Sequence, residues 1–71
     1  MRKTFKALQE ACNRVGSQSE LARRIGKTQG HISSWLRRKH VPAEVVLPIE
    51  AASGVSRHDL RPDLYPRESA A

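Results

Sequence analysis

Gln29, Ser33, Ser34, Arg37 and Arg38 recur at helical spacing, with Gly30 among them. At roughly 100° per residue, Ile32, Trp35 and Leu36 cluster on one side of such a helix. Opposite them lie Gly30, Ser34 and Arg37, flanked by Ser33 and Arg38, while Gln29 projects from the N-terminal end. An amide and two hydroxyls can hydrogen-bond base edges, and guanidinium groups meet phosphate or guanine. Short side chains permit the close approach that a major groove requires. A merely solvated face usually mixes glutamate with lysine, yet no acid occurs between Leu21 and Ala43.

The charge distribution points to the same kind of partner. The 71 residues hold 13 Lys+Arg against 7 Asp+Glu, a net charge of +6. Residues 1–40 contain ten of those bases and two of the acids, a net +8, and residues 41–71 carry −2. A basic half of this kind suits a polyanion, nucleic acid or an anionic membrane. Arg24, Lys27, His31, Arg38 and Lys39, with the polar Ser19 and Thr28, are the expected phosphate contacts beside the base-reading face.

Other chemistries find less support. His31, His40 and His58 fit no metal-ligand spacing and no cysteine cluster joins them, so neither a metal nor a cofactor is expected. Ser33, Ser34 and His31 do not make a nucleophile–base–orienter set, and no catalysis is expected. Cys12 falls on an apolar helical position and reads as a small core residue. Trp35 shares the Ile32/Leu36 stripe, which makes it core rather than a base-stacking platform. Arg57 and Arg61 either touch DNA or sit on the solvated end of a last helical turn, and the second reading is preferred. No stretch resembles a signal peptide or approaches the ~20 apolar residues of a membrane span, so a cytoplasmic protein without a membrane partner is expected.

A chain this short buries only about 60% of its unfolded surface, enough for one modest core. Phe5, Leu8, Cys12 and Val15 predict a helix over residues 4–15, stopped by Gly16. Ser17 to Glu20 form a capping box for a helix over 18–25, with Leu21, Ala22 and Ile25 inward and Gly26 as its stop. Thr28 caps a helix over 29–38. Val41 before Pro42 favours extended backbone. Residues 43–53 form a further helix with Val45, Val46, Leu47, Ile49 and Ala52 available to the core, and Pro48 either bends it or marks its true start. Gly54 stops it, and Ser56 caps a last turn over 57–61. The fold class is therefore all-α: one small domain, residues 1–66, of four to five short helices containing a helix-turn-helix, with residues 67–71 a disordered tail.

Ala22, Gly26 and Ile32 supply what a helix-turn-helix needs: a small residue under the crossing helix, a residue tolerant of positive φ in the turn, and a wedge between the helices. The stretch from Gln18 to Leu36 resembles the helix-turn-helix of the Cro/C1-type phage repressor superfamily, a lambda-repressor-like fold. "VSRHDLRPDLYP", Val55 to Pro66, is similar to the end of a Cro-like prophage branch described as antitoxin or Cro-family regulators. The resemblance implies base-reading positions at Gln29, Gly30 and Ser34, neighbouring base or backbone positions at Ser33 and Arg37, and a phosphate contact at Gln18. Gly30 stands where relatives often carry a hydrogen-bonding side chain. The C-terminal segment lacks the strand pattern of the best-known lambdoid Cro, so a strand-mediated dimer is not implied.

Three classes of function follow. The first is a sequence-specific DNA-binding repressor on a near-palindromic, double-stranded operator. The second is an antitoxin that binds a toxin protein and autoregulates its operon. The third is a structural helical domain with incidental basic charge. For the first, one helix covers too few base pairs to define a site, so a weak homodimer completed on DNA is expected. Its interface is expected between the 43–53 helix and the tail, at Val45, Val46, Ile49, Leu64 and Tyr65.

Overall fold

A computed structural model describes residues 2–66, with side chains from residue 5 onward. The expected disordered tail, 67–71, lies outside the described residues. Five helices follow in order: α1 (Arg2–Val15), α2 (Gln18–Ile25), α3 (Gln29–Arg38), α4 (Ala43–Ser53) and α5 (Arg57–Leu60). The described residues contain no strand. The fold is all-α, as the sequence predicts.

Local chemistry sets the helix ends. Ser17 Oγ accepts the Glu20 amide at 3.1 Å, capping α2. The reciprocal half of the expected capping box does not form, because the Glu20 carboxylate instead holds Arg23 and Arg24. Gly26 closes α2 at φ 76°, where the Lys27 amide reaches the Ala22 carbonyl at 2.8 Å. This left-handed closure is inexpensive for glycine. α3 ends in the same way on a different residue: Lys39 stands at φ 57°, the only non-glycine with positive φ among the described residues, and the His40 amide donates to the Trp35 carbonyl at 3.0 Å.

α1 packs on α2, α4 and α5, and α2 packs on both α3 and α4. The core joins Leu8, Ala11, Leu21, Ala22, Ile32, Trp35, Val41, Val45, Val46, Ile49, Val55 and Leu60. Ala22 is 2% exposed, which lets α3 cross close over α2. On α1 the buried stripe is Ala7, Leu8, Ala11 and Cys12, while Phe5 and Val15 are only half-buried. The alanines permit close helix approach, and the stripe is rotated accordingly from the Phe5-to-Val15 line expected. Burial also pushes the Cys12 thiol above its ordinary pKa, as fits a packing role.

α4 runs unbroken through Pro48, so its start is Ala43 and not the proline. Three further expectations are corrected here. Val45, Val46 and Ile49 are 2%, 0% and 0% exposed within the single chain, so they fill this chain's core and cannot form a dimer interface. Leu47, expected in the core, is instead 44% exposed on the opposite side. Arg61 is also no solvated end: its Nη1 donates to the Val41 carbonyl at 2.6 Å, tying the tail to the α3–α4 link.

Candidate nucleic-acid interface

α3 is set by its own first turn. Thr28 Oγ1 accepts the His31 amide at 3.3 Å, and His31 Nδ1 accepts the Thr28 amide at 3.2 Å, completing a capping box. A histidine at this place does what glutamate or glutamine usually does. Nδ1 also lies 3.0 Å from Thr28 Oγ1, so the ring is held by both polar groups of the cap residue. The same ring stacks on Trp35, with centroids 6.0 Å apart. His31 is thus first a cap for α3, a role the sequence did not reveal because the usual capping-box pattern calls for an acid or its amide. It remains exposed beside the basic face.

Opposite the buried Ile32 and Trp35, α3 presents Gln29, Gly30, Arg37 and Arg38 exposed, and Ser34 half-buried. Ser33 is half-buried and faces inward to α2: its hydroxyl donates to Gln18 Oε1 at 2.7 Å. Gln29 Nε2 donates to the same oxygen at 3.4 Å. One acceptor on the first turn of α2 thereby orients the first residue of α3, and it brings the N-terminal ends of both helices together. Each end carries partial positive charge from unsatisfied amides, which favours an anion nearby. The Ser33 hydroxyl is thus engaged within the protein, on the first turn of α2.

The flanking belt has its own internal order. Arg23 Nη2 donates to both Glu20 oxygens at 2.7 and 2.8 Å, and Arg24 Nε to Oε2 at 2.9 Å. These arginines, Arg23 foremost, hold the Glu20 carboxyl below the usual carboxylate range. Lys27 reaches Glu44 at 3.7 Å. Ser19, Thr28, Arg38 and Lys39 are exposed around the same face. Surface pairs of this kind are weak and exchange readily for other anions.

Two other arrangements bear on function. No three His, Cys, Asp or Glu residues converge as a metal site among the described residues. No described helix is long and apolar enough to cross a membrane.

Comparison with known proteins now places the chain. Residues 8–69 match the model of a family described as "Bacterial toxin YdaS". The "Putative transcriptional regulator YdaS" of Escherichia coli (strain K12) is 36% identical over 76 aligned residues, which cover 99% of this chain and 78% of that protein. No solved structure matches this chain at a significant level. With nearly its whole length matched, from the first buried leucine of α1 to beyond the C-terminal turn, the chain belongs to the YdaS family.

Proposed function

We propose that this chain is a sequence-specific DNA-binding transcriptional regulator, a Cro-like prophage repressor that sets α3 in the major groove of a near-palindromic operator. The observation that carries this reading is the outward face of α3: an amide, a hydroxyl, a bare glycine and arginines opposite a buried stripe, with no acid on it. The printed description of the Escherichia coli relative as a transcriptional regulator supports it. Gln29, Gly30, Ser34 and Arg37 meet base edges, and Ser33 and Gln18 hold Gln29 in place. Gln18, Ser19, Arg24, Lys27, Thr28, His31, Arg38 and Lys39 lie toward phosphate. The role is binding, with no chemical step.

Selection of bound sites from a random duplex pool tests this directly. The chain should enrich a defined site, and its affinity should fall linearly with salt in a log–log plot. No enrichment together with a flat salt response overturns the proposal and leaves a structural helical domain.

Two half-sites need two copies. α4 packs on α1, α2 and α5 but not on α3, and its outer side carries Leu47, Pro48 and Ala51 exposed beside Glu44. This side belongs to the half of the chain with net charge −2, where two copies meet without the repulsion of the basic half. The weak homodimer is therefore placed on Leu47 with the exposed Leu64, replacing the core residues of α4.

A second reading is an antitoxin that binds a toxin protein and autoregulates its operon; the family description supports it only in so far as it names a bacterial toxin. Co-purification with the product of an adjacent gene distinguishes it from a repressor that acts alone.

A further inference from the structure

The described glycines fall into two groups. Gly16, Gly26 and Gly54 have φ of 121°, 76° and 82°, so each has a backbone reason to lack a side chain. Gly30 has none. It lies in the first turn of α3 with helical backbone, and a Cβ built there meets only Thr28 Oγ1, at 3.6 Å, an ordinary contact. Alanine would fit the free protein and would favour the helix. The fold therefore does not call for glycine here, and glycine works slightly against it.

The position of Gly30 supplies a reason. It lies diametrically opposite the buried Ile32 and Trp35, at the centre of the outward face, between Gln29 and His31 and one turn before Ser34. Without a Cβ, the peptide itself limits how closely a partner can approach. On the major-groove edge, the C5 methyl of thymine is the apolar group that projects toward a protein. We propose that Gly30 is a specificity-determining residue: the space left by its missing side chain receives a thymine methyl at the point where α3 comes nearest the groove floor. The inference rests on the regulator reading above and adds the chemical group recognised at this position.

The test uses the duplex that the wild-type chain enriches from a random pool, the variants Gly30→Ala and Gly30→Leu, and the same duplex with deoxyuridine replacing each thymine in turn. Both variants should have urea midpoints at or above wild type. Gly30→Ala should lose about tenfold in affinity for the enriched duplex, and Gly30→Leu more. Random duplex and the salt slope should be unchanged, because no phosphate contact is touched. One deoxyuridine position should weaken wild-type binding several-fold and leave the Gly30→Leu variant indifferent. A wild-type chain that enriches no sequence removes the regulator reading and this inference together. A wild-type chain that enriches a sequence which both variants bind as tightly, or that ignores every deoxyuridine, removes this inference alone.

Discussion

Ser33 donates its hydroxyl to Gln18 Oε1 at 2.7 Å, and that oxygen also receives Gln29 Nε2 at 3.4 Å. The two contacts lock the start of α3 to the start of α2, fifteen and eleven residues away in sequence. Removing the Ser33 hydroxyl leaves Gln18 able to turn and Gln29 free to choose among rotamers. Ser33→Ala should cost about 1 kcal/mol of stability, the net worth of one such hydrogen bond. Its effect on DNA should be selective: weaker on the enriched site, unchanged on random duplex. Equal weakening on both would assign Ser33 to the backbone of the DNA instead.

His31 can be separated into its two parts by choice of replacement. His31→Ala removes the side chain that satisfies the Thr28 amide, and should cost about 1 kcal/mol of stability. His31→Glu restores the usual capping-box residue and adds an anion at a helix N-terminus, so stability should be close to wild type. The same anion should repel phosphate and lower affinity for any duplex, with a shallower salt slope. Wild-type affinity in a stable His31→Glu variant would remove His31 from the phosphate contacts.

Lys39 closes α3 in the left-handed region at φ 57°, where a side chain costs roughly 1–2 kcal/mol that glycine avoids. Lys39→Gly should therefore raise stability by about 1 kcal/mol once the greater freedom of glycine in the unfolded chain is set against it. Chemical denaturation measures this, and a loss of stability would mean that the lysine side chain supports the helix end. If Lys39 also meets phosphate, the stabilised variant should bind random duplex more weakly and lower the salt slope by about one.

The Arg61–Asp63 pair gives a pH dependence of known sign. Arg61 Nε and Nη2 donate to the two Asp63 oxygens at 2.9 and 2.7 Å, and the pair lowers the Asp63 pKa from 3.8 to about 2. A carboxyl with a depressed folded pKa contributes stability above its unfolded value and loses it as pH falls through the folded one. The contribution should be complete above about pH 4 and fade toward pH 2. Glu50, lowered chiefly by accepting the Arg57 amide, fades on the same acid side. The urea midpoint should fall through this window, and Asp63→Asn should flatten the lower part of the fall. An identical acid profile in that variant would show that the pair adds nothing to folding.

The bounds of α2 and α3, the end of α4 and the start of α5 were legible because local signals make them: Ser17, Thr28 and Ser56 as caps, Gly26 and Gly54 as stops; Pro48 left the start of α4 open. The outward face of α3 was legible for a similar reason, since one strong stripe, Ile32 and Trp35, fixes its phase. α4 offers no such stripe. It is apolar nearly all round, so its sequence could not tell Val45, Val46 and Ile49, which face the core, from Leu47, which does not. The bonds of Ser33 to Gln18 and of Arg61 to the Val41 carbonyl were also out of reach, because they depend on how helices lie together and not on spacing along one.

Leu47 tests how two copies meet. It is 44% exposed on a helix whose other face is fully buried, so a charged replacement should leave the monomer's core untouched. Leu47→Glu should change stability by no more than about 0.5 kcal/mol, as for other surface substitutions. Beside Glu44 it would place two acids on the face where a second copy is proposed to sit, and its symmetry mate would bring two more. Paired binding depends on that contact, whereas a single α3 in one half-site does not. Affinity for a two-half-site operator should then fall at least tenfold, with affinity for an isolated half-site unchanged. Sedimentation of the operator complex should shift from two chains per duplex toward one. Equal affinities of wild type and Leu47→Glu on the full operator, with two chains still bound, would move the interface away from α4 and leave Leu64 as its remaining exposed apolar candidate.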